Sequence, residues 1–462
     1  MTTRNVGKHP GVRTRRILQP LITVGLIALV SCVQPSGSRA AGESPATVQR
    51  KIAAIALEPF VAAADSTGLA RAIDAACRQG PRSSCQESQL TAVAAAGHVK
   101  LAMGALGRLG AAHEDVKRGG HVYAHAIGIA AGQRSGEIEE IFGQCSESYQ
   151  SGCYHGVIQA RFAALDTIDA AAVNDLCAPF RTNDSQRWIR FQCVHGIGHG
   201  LTSLNKHDLP KGLAGCDLLT DRWDRHSCYG GAFMENIVNV THPHHPASTL
   251  SHSGGQAGSS AAHDEHAGMP GMHHDETKPF KAVDPSDPQY PCSTLADRYL
   301  QACYQMQTSV MLYHNKGDIA GAARGCDAAP ESMRITCYSS LGRDVSSYSL
   351  QDHASAIRMC SLGTPRYQPW CYMGLVKNII DLNARPAEGI SLCRDVPTPS
   401  SKVICYLAVG EQVVLLASDA EGRRSLCSTS EPAFLDACLY GARVSDARPS
   451  GLSEVLDAVK SR

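Results

Sequence analysis

Asp318-Ile-Ala-Gly-Ala-Ala-Arg-Gly-Cys326, ten further residues, and then Cys337-Tyr-Ser-Ser-Leu-Gly-Arg-Asp-Val-Ser-Ser-Tyr348 form one unit of a pattern that decides the fold. In the C-terminal half the first cysteine of each such pair stands at 292, 326, 360, 393 and 427, in steps of 34, 34, 33 and 34. The second follows eleven or twelve residues later, at 303, 337, 371, 405 and 438. A period near 34 residues is the signature of a helix–turn–helix repeat. In most units an Asp precedes the first cysteine by eight residues: Asp169, Asp208, Asp284, Asp318, Asp352 and Asp419. Such an Asp predicts the N-cap of a helix A, because its carboxylate accepts the free amides of the first turn. Helix A then ends near the first cysteine, and helix B starts near the second, usually as Cys-Tyr.

The N-terminal half follows the same register, with first cysteines at 77, 145, 177 and 216. The gap of 68 residues from 77 to 145 is two periods, so one unit has lost its cysteines, with Gly119 at its expected second position. The gap of 76 residues from 216 to 292 exceeds one period by about 42, which matches an insertion from His242 to Val283. The chain therefore reads as all-α: an α-solenoid or a closed α/α ring of about ten helical hairpins of ~34 residues. Residues 1–31 are an export signal, 32–49 a linker, 50–241 the first repeats, 242–283 the insertion and 284–455 the remaining repeats.

Eighteen of the nineteen cysteines fall into nine neighbouring pairs. These predict bridges Cys77–Cys85, Cys145–Cys153, Cys177–Cys193, Cys216–Cys228, Cys292–Cys303, Cys326–Cys337, Cys360–Cys371, Cys393–Cys405 and Cys427–Cys438, although eighteen cysteines allow a great many other pairings. Loops this short make each bridge worth about 2–3 kcal/mol on the chain-entropy estimate. So many regular cysteines imply an oxidising compartment. The N-terminus agrees: Arg4, Lys8, Arg13, Arg15 and Arg16 precede the apolar run Leu21 to Val30, which is too short to span a bilayer. Leu29-Val30-Ser31-Cys32 resembles a bacterial lipobox and would lipidate Cys32, whereas Ser38-Arg39-Ala40 would be an ordinary cleavage site. The expected location is the bacterial periplasm, with the membrane touched only through the lipid anchor at Cys32.

The whole chain carries 43 basic and 43 acidic groups, and no basic stripe points to nucleic acid. Aromatic residues make up 5% of the chain, while Ala, Gly and Leu are abundant, which suits thin, close-packed helices. The period, the Ala-rich helix A and the cysteine pair resemble the Sel1-like and related cysteine-rich repeat proteins. That resemblance implies a helical-hairpin solenoid with one disulfide per repeat. It carries no functional residues over. The loop between cysteines is longer here, and the Cys-Tyr-x-Gly start of helix B departs from that family's pattern.

Aligning the units on the second cysteine shows where chemistry gathers. Two residues after it stand His155 and His195, and six residues after it stands His199. The same offsets from Gly119 give His121 and His125. Residues four apart share one helix face, and equivalent faces of stacked repeats line one continuous surface. His-x3-His, here His121/His125 and His195/His199, is a common way to offer two imidazoles to one metal. His155 lies on the helix between them, and Met234 and Glu235 follow on the next. These donors suit one or two Cu, Zn or Fe ions. A polar pocket without metal, or ordinary buried histidines, are the plainer readings. At the offset of six, the second half carries Arg343, Lys377 and Glu411, either a solvated face or an anion-binding end. His98, His113 and His314 are further possible ligands.

The insertion holds eight of the twenty histidines, with His263, His266, Met269, Met272, His273 and His274 clustered near its end. Gly, Ser and Pro fill much of the rest, so it cannot build a core. Mixed imidazole and thioether donors suit both oxidation states of copper, and the loop could load a nearby site by proximity. Copper is accordingly the expected cofactor, with zinc and iron as alternatives. No nucleophile elbow, phosphate loop, dinucleotide fingerprint or His-Glu-x-x-His motif occurs. Three functions follow: metal handling in the envelope; a metalloenzyme with Glu235 as ligand or general acid/base; or a repeat scaffold that binds a protein or peptide, with a small molecule or peptide as a possible ligand of its inner helix face.

Overall fold

The structure is a computed structural model, and it describes residues 55–78, 81–165, 167–181, 187–241 and 280–460. Among these there are α-helices and short 3-10 turns and no strands. The array opens with α1 (Glu58–Ala62), α2 (Ser66–Ala76), α3 (Arg82–Ala95) and α4 (Val99–Ala112). It continues through α5 (Glu114–Gly132), α6 (Ile138–Phe142), α7 (Gly152–Ala163), α8 (Ala170–Asp175), α9 (Arg187–Leu204), α10 (Leu209–Asp217) and α11 (Arg222–Thr241). Beyond residue 280 come α12 (Asp297–Tyr304), α13 (Gln307–His314), α14 (Ile319–Asp327), α15 (Glu331–Tyr348), α16 (His353–Cys360), α17 (Gln368–Asn383) and α18 (Pro386–Asp395). The last are α19 (Pro399–Leu416), α20 (Ala420–Cys427), α21 (Leu435–Gly441) and α22 (Leu452–Lys460). The B helices pack side by side in chain order: α5, α7, α9, α11, then α13, α15, α17, α19 and α21. The A helices α10, α14 and α18 each dock against the B helices before and after them.

The two rows bury their residues differently. In α19 nearly every residue from Val403 to Val414 is buried, with Glu411 the exposed exception, so this helix sits inside the array. In α16 only Ala356 and Cys360 are buried, as expected of a helix with one face to solvent. Four of the anticipated Asp caps form: Asp169, Asp208, Asp352 and Asp419 each accept a first-turn amide. Asp284 does not. It accepts the Ser286 amide in a turn instead, because Pro285, Pro288 and Pro291 deny this stretch the amides of a helix A.

The nine bridges of the structure join Cys77–Cys85, Cys145–Cys153, Cys177–Cys193, Cys216–Cys228, Cys292–Cys303, Cys326–Cys337, Cys360–Cys371, Cys393–Cys405 and Cys427–Cys438. The second cysteine marks the start of helix B, as the sequence suggested, in some units only: α7 begins one residue before Cys153, and α17 and α21 begin three residues before Cys371 and Cys438. In α9, α11, α15 and α19 the helix begins six residues earlier. The bridge therefore pins A to the second turn of B, and the following Tyr enters the core. Tyr338 Oη donates to Asp327 Oδ1 at 2.9 Å, and Asp327 follows the first cysteine of the same unit. Tyr229 repeats the bond with Asp217, which also follows its first cysteine.

Neighbouring B helices come together in glycine couples. A Cβ at Gly128 would overlap the Cys153 carbonyl oxygen, and one at Gly156 would overlap that of His125. The α9/α11, α15/α17 and α19/α21 couples repeat this reciprocal arrangement. The inner faces of the two halves also meet: α9 touches α19, and Gln150 Nε2 donates to Asn378 Oδ1 at 3.3 Å. Phe280 and Val283 pack on the core, and Asn236 Nδ2 donates to the Ala282 carbonyl at 3.1 Å. The last residues of the expected insertion thus belong to the folded array. No helix among the described residues is long and apolar enough to cross a membrane. The export segment with Cys32, and the loop residues His263, His266, Met269, Met272, His273 and His274, lie outside the described residues.

Candidate metal centre

The close glycine couples bring the backbones of α5, α7, α9 and α11 near enough for short-reaching imidazoles to meet. On α5, Lys117, His121 and His125 stand four apart on one face. α7 supplies His155, α9 supplies His195 and His199, and α11 supplies Glu235. The His121 ring lies 6.0 Å from His125, 5.8 Å from His155 and 6.3 Å from His199, between centroids. His199 lies 5.3 Å from His125 and 5.0 Å from His155. His195 lies 4.7 Å from His155 and 5.2 Å from His199. All five histidines anticipated from the register are therefore in one cluster.

Ligand atoms converge in two groups. His121, His155 and His199 bring one donor atom each within 4.8 Å of one another, and so do His125, His199 and Glu235. His125, His155, His199 and Glu235 are buried, while His121 and His195 are partly accessible. His195 belongs to neither group. Its ring lies beside Phe191, 5.5 Å between centroids.

Hydrogen bonds fix the rings. His121 Nδ1 is 3.0 Å from the Tyr149 carbonyl oxygen, which makes that nitrogen the N–H donor and turns Nε2 inward as the lone-pair edge. His155 Nε2 is 3.1 Å from Gln192 Oε1, and His155 Nδ1 is buried with no hydrogen-bond partner. His199 Nδ1 is 2.8 Å from Glu235 Oε2, with both side chains 1% exposed. Burial pushes the proton affinity of His155 and His195 well below the ordinary imidazole range, and the neighbouring imidazoles push it further. A hydrogen bond to the Ser227 backbone works the other way on His195. Neutral rings of this kind are the form that binds metals.

Sequence reasoning missed three contributors. His207 Nδ1 lies 3.6 Å from Glu235 Oε1. It keeps the spacing of four from His199 and Ser203 in the sequence, but it lies past the end of α9 at Leu204, so helix periodicity does not place it. Gln192, one residue before Cys193, had no signal without coordinates. Nor did the cavity of about 350 Å³ whose wall includes His121, Lys117, Arg118 and Gln150 from the first half and Ser346, Gln351 and Leu382 from the second.

Other candidates lie elsewhere. Met234 packs on the core and is in neither ligand group. His113 Nε2 pairs with Asp74 at 2.8 Å, His98 precedes α4, and His314 lies against Tyr313. The charged residues of the second half satisfy one another: Arg343 binds Asp344 and Ser309, and Lys377 Nζ is 2.5 Å from Glu411. Comparison with protein-family models, with curated proteins and with solved structures finds no match for this chain.

Proposed function

We propose that this chain is an exported helical-repeat protein that binds a transition-metal ion on its inner face, with copper as the ion it takes in the cell. One observation carries this reading: imidazoles from three consecutive B helices and a carboxylate from a fourth converge in a buried cluster. Two features support copper over zinc or iron. The cluster is dominated by imidazole donors, and the segment inserted after α11 combines histidine with methionine. Export and anchoring are supported by the basic and apolar N-terminus and by Cys32, the cysteine left over from nine bridges. On this reading the protein holds, stores or delivers copper in the envelope.

The test is elemental analysis of the protein purified from its export compartment, alongside a His195→Ala/His199→Ala variant and a deletion of residues 242–279. The double variant is expected to lose the tightly held ion, and the deletion to lose only exchangeable metal. Full metal content in the double variant overturns the reading.

The cavity beside His121 favours a second reading, a metal-dependent enzyme. It would let a small polar molecule reach the outer edge of the cluster, past Lys117 and Arg118. Glu235 would then serve as ligand or general acid/base. Turnover that requires bound metal, and that falls when Lys117→Ala blocks substrate capture, would distinguish it from handling alone.

A further inference from the structure

We infer that the cluster holds two metal ions, not one, joined by the imidazole of His199; this rests on the metal-binding reading above. The two ligand groups, His121/His155/His199 and His125/His199/Glu235, share His199 and nothing else. An imidazole is suited to that position because its two nitrogens point from opposite edges of the ring. Nδ1 is committed to the Glu235 side at 2.8 Å. On this inference Nε2, the other ring nitrogen, is the one offered to the group with His121 and His155, whose rings lie 6.3 Å and 5.0 Å from that of His199 between centroids. When the second ion binds, the remaining ring N–H breaks, its proton leaves to solvent, and a nitrogen–metal bond forms in its place.

The two positions are chemically unlike. The first has three imidazoles, one of them His121 on the cavity wall. It is the nearer to solvent and the one an external ligand can reach. The second has two imidazoles and a carboxylate, all of them buried. It also lies beside His207, whose ring approaches the other oxygen of Glu235. Both sets can retain an ion: the carboxylate-containing position is closed, and the imidazole-only position beside the cavity suits an ion that an external ligand can reach.

The experiment titrates the full-length, metal-free protein with Cu(II), removes loose metal by gel filtration, and counts retained ions against variants. Glu235→Gln and His155→Ala should each lower the count by one relative to the unaltered chain, and His199→Gln by two. Copper-loaded unaltered protein should also show the half-field paramagnetic resonance signal of two coupled Cu(II) ions, lost in Glu235→Gln. This last measurement needs no folded His199 variant. If all three variants lower the count by the same single ion and no coupling signal occurs, there is one site; the bridge fails and the metal-binding reading stands. If none lowers the count, both fail.

Discussion

His199 and Lys377 occupy the same position of the repeat, six residues after the second cysteine, and each is paired to a glutamate on the next B helix. His199 and Glu235 are each 1% exposed, whereas Lys377 and Glu411 are 31% and 42% exposed. The scaffold is equivalent in both halves, with the same bridges and the same glycine couples. One backbone position thus serves as a buried donor site in the first half and as an ordinary surface ion pair in the second. Side-chain reach explains the difference. Lysine carries its charge outward on a long stem, while imidazole keeps its nitrogens close to the helix where the couples hold it.

The largest separation between the halves is expected from removing one partner of each pair. His199→Ala removes the closest partner of the buried Glu235, leaving His207 at 3.6 Å, and should destabilise the metal-free protein by about 3 kcal/mol, measured by denaturant unfolding. An effect below about 1 kcal/mol would mean that water reaches Glu235 and the site is open.

A change in the scaffold should act on both halves but reach function in only one. Gly156→Ala presses on the His125 carbonyl, and Gly374→Ala presses on that of Ser339. Each should destabilise by about 1–3 kcal/mol. Gly156→Ala alone should also weaken retained metal, because it separates α5 from α7. Equal loss of metal in both variants would break the distinction between the halves.

Acidity gives a third contrast. His155 and His195 bind protons less readily in the folded protein than their ordinary value of 6.5. Below that value the unfolded chain binds more protons than the folded one, so stability is full above about pH 6.5 and falls as pH drops. The thermal midpoint of the metal-free protein should decline between about pH 7 and about pH 5. His155→Gln should flatten that slope, and a substitution in the second-half face should leave it unchanged. The smallest effect belongs to Lys377→Ala, which should cost less than about 1 kcal/mol and vanish in high salt.

Much of this was legible in the chain because the cysteines supply a ruler. The ruler placed His121 and His125 in register with His195 and His199 although their own unit has no bridge. It also located Glu235 on the next helix. It could not show that Asp284 caps nothing, since an eight-residue spacing says nothing about the prolines that follow it. His207 escaped because it lies beyond the end of α9, in a turn where its φ is 61°. Gln150 and Asn378 meet across 228 residues, a contact set by how successive hairpins turn and not by any local pattern.

The bridges also bear on the order of events in time. Each closes a segment of 8 to 16 residues, and none ties one hairpin to another. A chain that emerges from its N-terminus meets the correct partner for each thiol before the next pair has appeared. Eighteen cysteines can therefore be sorted by sequence of arrival, with little need for later exchange between bridges. Each closed hairpin is then a template on which the next one docks.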